Sequence, residues 1–270
     1  MNMRWLFLTA LTLVAVLLVA KLYSEPTDKA PAVTTEPAAP ADKTVLSMQW
    51  QVGIAQRYQV LTESSMKMQA TVQGTSSIRV NIQGQLDTLT LEAGNNESLV
   101  GMRLSSIELK INDTVDVATN SALGVSFRVR FTASGMPLEF EFPAEVNQQN
   151  RSILENLVRT FQVNLDLGDS WMAEETNGSG TYKAVYKRTG ALQFEKSKRK
   201  FNSTAGGMVN WSNISSIESF SIEVGRNWIA EMNVQETMRS DDRGGPAMIV
   251  RNHATLKLEP GTQLALSPDL

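Results

Sequence analysis

The chain carries a single histidine, His253, and no cysteine among its 270 residues. Thiolate nucleophiles, disulfides, zinc–cysteine centres and iron–sulfur clusters are excluded, as is any site that needs two histidines. His253 stands beside Arg251 and Asn252. A metal there would need carboxylates gathered from distant segments, so no metal site is expected. Asp241 and Asp242 are adjacent in a Gly/Pro-rich stretch. Neighbouring carboxylates on a loop usually point apart, which favours a solvated turn over an acid–base pair. No G-x-S-x-G, P-loop or dinucleotide fingerprint occurs. A serine–lysine dyad stays open by elimination alone, with nothing pointing to it. The expectation is a protein that is not an enzyme and needs no cofactor.

The densest charge feature is basic. Lys183, Lys187, Arg188, Lys196, Lys198, Arg199 and Lys200 fall within eighteen positions that hold one acid, Glu195. Two strands joined around Thr189-Gly190 would gather these cations on one hairpin. That hairpin is either a solvated edge, since lysine protects edge strands from pairing, or a binding surface for an acidic partner or lipid headgroups. Nucleic acid is not expected. The formal net charge is −3, and no series of aromatic residues interleaves the cations for stacking.

The elements that must position these residues are mostly strands. From about Leu46 onward the apolar residues recur with period two. Trp50, Val52 and Ile54 alternate, as do Met66, Met68 and Ala70, and Ile78, Val80 and Ile82. The clearest run is Val125, Phe127, Val129, Phe131, with Ser126, Arg128 and Arg130 on the other face. Gly- and Asn-containing turns separate the runs, among them Gly94-Asn95-Asn96, Ser134-Gly135, Gly225-Arg226-Asn227 and Gly244-Gly245-Pro246. About a dozen strands with one dry face predict antiparallel sheet, closed or packed against something. One segment has a different period. In Ser152–Val163 the residues Ile153, Leu154, Leu157, Val158 and Phe161 fall in one helical arc, and Ser152 with Glu155 has capping-box spacing. This single short amphipathic helix is expected to plug a curled sheet with its apolar face.

The front of the chain reads as an address. Trp5–Ala20 is uncharged and apolar, flanked by Arg4 and Lys21. Its helix would be about 24 Å long, and Leu22 and Tyr23 extend it toward the span of a bilayer. A cleaved signal peptide and a retained signal anchor both fit. The anchor is preferred, because Leu18 is large for a cleavage site and Lys21 follows Ala20 directly. Charge flanks place the amino terminus in the cytoplasm and the rest outside, periplasmic if the source is a bacterium. Four of the nine prolines lie between Ser24 and Thr44, a composition that predicts an extended tether. The expected organisation is a single-pass membrane protein: anchor 1–23, Pro/Ala-rich tether 24–45, and a β-rich domain over 46–270. Seven Asn-x-Ser/Thr sequons occur, but strand-and-turn sequences rich in Asn, Ser and Thr produce such matches by chance.

From Phe127 onward the order of features resembles the amino-terminal module of vitellogenin and the large lipid transfer proteins. The matching positions are Phe127, Gly135, Pro143, Asn150, Ile153, Leu154, Phe161, Glu175, Gly180 and Tyr186. Upstream stretches fit more loosely, so the resemblance covers most of residues 46–205. It implies a strongly curved, barrel-like antiparallel sheet around a central helix, and lipid binding or transport as the activity. Thr181 stands near the position where that family carries a disulfide cysteine. The family's helical superhelix and later sheets are not among these residues, so the resemblance implies the β module rather than the lipid load. Two functions follow as expectations. One is a membrane-tethered module that binds lipid or helps transport it at an envelope surface. The alternative is a non-enzymatic scaffold that docks an acidic protein through its basic hairpin.

Overall fold

The computed structural model describes residues 47–70, 74–178, 180–203, 211–223, 228–240 and 247–260. The apolar segment Trp5–Ala20, the tether, the Asp241-Asp242 loop and the turns at Gly225 and Gly244 lie outside these residues. Among the described residues no helix is long and apolar enough to cross a membrane.

Twelve strands make one sheet: β1 (Ala55–Ala70), β2 (Gly74–Ala93), β3 (Glu97–Ile111), β4 (Thr114–Val115), β5 (Ser126–Thr132), β6 (Pro137–Glu141), β7 (Ser170–Asn177), β8 (Gly180–Arg188), β9 (Gln193–Ser203), β10 (Trp211–Ile222), β11 (Ile229–Ser240) and β12 (Ala247–Leu258). The strand order is β6-β5-β3-β2-β1-β12-β11-β10-β9-β8-β7, with β4 pairing on β3 and every pairing antiparallel. The chain thus forms two meanders whose first and last strands meet at the centre. The period-two runs map onto these strands, and β5 alternates as expected, with Phe127, Val129 and Phe131 buried. Trp50, Val52 and Ile54 do not form a strand. They precede β1 in a turn through Gly53, whose φ is +80°.

The sheet curls hard. Phe131 of β5 lies 5.7 Å from Trp228, which leads into β11, although four strands separate β5 from β11 in the sheet. Tyr58 of β1 meets the same indole at 5.6 Å. Bulges help the bend: β2 shifts register against β3 between Gln83 and Gln85 and again between Thr90 and Glu92. The curl does not close. β6 and β7 are both edge strands, which corrects the barrel-like expectation to an open sheet.

Among the described residues two helices occur, where one was expected in the β-rich domain. The unforeseen one is α1 (Val117–Leu123), capped by Asp116. The second, α2 (Gln148–Thr160), carries the expected apolar face. Leu154, Leu157 and Val158 are buried, Phe161 is buried just past its end, and Ile153 packs against them. Each fully buried side chain of this size contributes about 1.5–3 kcal/mol. The helix starts earlier than the capping box predicts. Asn147 is the cap, accepting from the Asn150 N–H at 2.9 Å, and Ser152 Oγ instead donates to the Gln148 carbonyl. α2 spans the gap between the two free edges. Arg159 stacks 5.0 Å over Phe140 of β6, pairs with Glu155, and reaches the Thr176 carbonyl of β7.

Candidate ligand site

Between α2 and the inner face of the sheet is a cleft of about 330 Å³. α2 presents Ile153, Asn156, Leu157 and Thr160 to it. The opposite wall is sheet: Met66, Ile78, Val80, Ile82, Val234, Met238, Val250 and Ala254, from β1, β2, β11 and β12. These apolar side chains come from the dry face that period two predicts for each strand. The volume lies at the small end of the range for ligand pockets, and the mixture of apolar wall and few polar groups is what such pockets share.

Three of the polar residues in its wall belong to a buried ladder of charges. Lys196 Nζ lies 3.0 Å from Glu175 Oε2 and 2.9 Å from Glu218 Oε2. Lys198 Nζ lies 3.2 Å from both Glu218 Oε1 and Glu236 Oε1. Carboxylate and ammonium alternate from β7 through β9 and β10 to β11, and all five residues are buried. The Glu175 end is closed by two phenols, Tyr182 donating at 2.8 Å and Tyr186 donating to the other oxygen. At the far end the Asn252 amide donates to Glu236 at 3.0 Å and accepts from the Ser64 hydroxyl at 2.7 Å. Lys198, Glu236 and Asn252 also line the cleft.

Burial alone would drive Glu218 and Lys198 neutral, and their oppositely charged neighbours reverse that. Desolvation raises the Glu218 carboxyl, but Lys196 and Lys198 outweigh it and hold Glu218 below the ordinary range. Desolvation likewise opposes the charge on Lys198, yet Glu218 and Glu236 raise its ammonium above the usual lysine value. Burial, then the Glu175 charge, pushes both Tyr182 and Tyr186 well above an ordinary phenol.

The structure splits the basic cluster. Lys196 and Lys198 are not on a hairpin surface: they point inward, on the same face of β9 as Phe194. Nor is β9 an edge, since it lies between β8 and β10. Lys183, Lys187 and Arg199 are exposed, with Lys183 opposite Arg199 and Lys187 opposite Glu195. Arg188 is half-buried, its guanidinium 5.7 Å over Phe194. The Lys200 side chain lies outside the described residues.

Glu218 and Glu236 went unread as site residues. Parity would have found them: Glu218 shares a face with Phe220 and Ile222, and Glu236 with Val234 and Met238. His253 lies 3.5 Å from Glu63 at its Nδ1, facing it across the β1–β12 pair. A second, open groove of about 590 Å³ takes in these two with Arg79 and Arg251. Among the described residues no three metal-ligating side chains converge.

No family model matches the sequence, and no curated protein matches it. The fold is similar to a solved structure of lipovitellin, one concerned with lipid–protein interactions in that protein. The TM-score is 0.58 at 15% identity, over 82% of this chain. The chain spans 27% of the lipovitellin chain's length. At that identity the likeness concerns the fold, and it agrees with the curved antiparallel sheet that the resemblance implied. Two further structures align poorly. A LolA superfamily protein from Nitrosomonas europaea gives a TM-score of 0.21 at 10% identity, over 78% of this chain and 91% of that one. DynF, from the dynemicin biosynthesis pathway of Micromonospora chersina, gives 0.22 at 10% identity, over 92% and 95%.

Proposed function

We propose that residues 47–260 form a lipid-binding module whose cleft takes the apolar chain of an amphiphile. The observation that carries this is the cleft itself, with eight apolar side chains of the sheet facing α2 across about 330 Å³. Each methylene transferred from water into such a wall contributes about 0.8 kcal/mol. The likeness of fold to lipovitellin supports the reading, and so does the scarcity of catalytic residue types. The apolar segment at the front would tether this module to a membrane, with the Pro/Ala-rich stretch as spacer. Native mass spectrometry of the full chain after exposure to mixed lipids tests the proposal. Lipid should be retained by the wild type and lost from Val250→Trp, which fills the cleft. A wild type that emerges bare overturns it.

A second reading rests on the exposed cations Lys183, Lys187 and Arg199. Lys183 and Arg199 face each other across the β8–β9 pair, and like charges held opposite favour an anionic partner that relieves them. An acidic protein docked there would be lost from Lys183→Glu/Arg199→Glu in a pull-down. Unchanged recovery of partners by that variant rejects the docking reading.

A further inference from the structure

The charge ladder says which head an amphiphile in this cleft would carry. Two ammonium groups are interleaved with three carboxylates. Lys196 is shared by Glu175 and Glu218, and Lys198 by Glu218 and Glu236, so neither lysine has charge to spare. Glu175 and Glu236 each hold one lysine contact. Glu175, at the closed end, also receives two phenol hydroxyls. Glu236, at the cleft end, receives one neutral amide. The carboxylate with fewer donors is therefore the one in the cleft wall.

An anionic head would meet Lys198 already saturated by two carboxylates, next to an under-compensated third. A cationic head would extend the alternation by one more step. We infer that the cleft's ligand is an amine-headed amphiphile, with an ammonium seated at Glu236 and an apolar chain running along Val234, Met238 and Val250 toward α2. The inference rests on the cleft reading and adds the sign of the head. Asn156, Thr160 and Ser64, which also line the cleft, offer oxygen acceptors for the remaining N–H groups of such a head.

Calorimetric titration of the full chain with decylamine, decanol and decanoate tests it, since the chain is constant and only the head varies. Decylamine should bind about tenfold or more tightly than decanol, as a charge-assisted hydrogen bond requires, with decanoate weakest. Glu236→Gln should collapse the amine-to-alcohol ratio to within about twofold. Decanoate binding as well as decylamine overturns the amine head while leaving the cleft reading intact. So does a wild type that does not distinguish amine from alcohol, a comparison that needs no variant. Failure of all three probes to bind, or equal binding of all three to Val250→Trp, overturns the cleft reading and the amine inference with it.

Discussion

Lys196→Met removes one of the two ammonium groups of the charge ladder and tests its burial directly. The side chain is fully buried and makes two ion pairs, at 3.0 and 2.9 Å, with a third contact to the Gln162 carbonyl at 2.9 Å. Methionine fills a similar volume, so a cavity contributes little and the change is electrostatic. It leaves Glu175 with only its phenols and Glu218 with Lys198 and the Ser216 hydroxyl. Breaking a buried pair from one side costs about 3–5 kcal/mol, because the surviving charge stays out of water. With a urea dependence of about 3 kcal/mol per molar, the unfolding midpoint followed by circular dichroism should fall by about 1 M or more. The exposed Lys183→Met, on the same hairpin, should change stability by less than about 0.5 kcal/mol. Adding Glu218→Leu to Lys196→Met should return part of the loss, as a coupling of about 0.5–3 kcal/mol. A midpoint for Lys196→Met as close to wild type as that of Lys183→Met would refute the buried ladder.

Stability should be level from about pH 5 to about pH 9.5 and fall on both sides. The folded Glu218 carboxyl sits below its ordinary 4.5, so its contribution is present above that value and lost as pH falls toward the folded one. Lys198, Tyr182 and Tyr186 all sit above their ordinary values of 10.5 and 10.0, so their contributions are present below pH 10 and lost as pH rises. Urea midpoints that keep rising above pH 10 would contradict this. Two glycines separate strain from crowding. Gly135, in the turn between β5 and β6, has φ +97°, and an added Cβ would meet Met48 Cε and Val163 Cγ2 at 2.9 Å each. Gly53 has φ +80° and open space around it. Both alanine variants should lose about 1 kcal/mol or more to backbone strain, with Gly135→Ala losing a further 1–3 kcal/mol or so to overpacking. Equal melting temperatures for the two would show that the packing around Gly135 is looser than described.

What could be read from the sequence depended on whether side-chain type and face agreed. In β5 they agree, since Phe127, Val129 and Phe131 face inward and Arg128 and Arg130 outward, and the strand is plain. The apolar arc of α2 is equally plain, though its start is not: Asn147 caps it and Asn150 is buried, so polar residues open the helix before the apolar period begins. α1 has seven residues, under two turns, too few for a period to register. In β9 type and face disagree. Lysine is most often solvated, so Lys196 and Lys198 read as surface, while their parity with Phe194 placed them inside. Their partners come from β7, β10 and β11, and nothing in the local pattern of β9 announces carboxylates that arrive from other strands. The open curl depends on the same long-range information, because period two fixes which face is dry and leaves the closure of the sheet undetermined.

The central seam of the sheet also bears on time. Gln59 and Glu259, whose side chains hydrogen-bond at 2.9 Å, stand 200 positions apart, and the two meanders share no strand pairing other than β1 with β12. During synthesis the sixteen-residue β1 has its β12 side bare until β12 has been made. Contacts this distant in sequence form slowly, and a long unpaired edge is a template for the wrong partner. Because β1, β2, β11 and β12 wall the cleft, it comes into being only at that final pairing. A nascent chain therefore has no such cleft until β12 has been made and paired with β1.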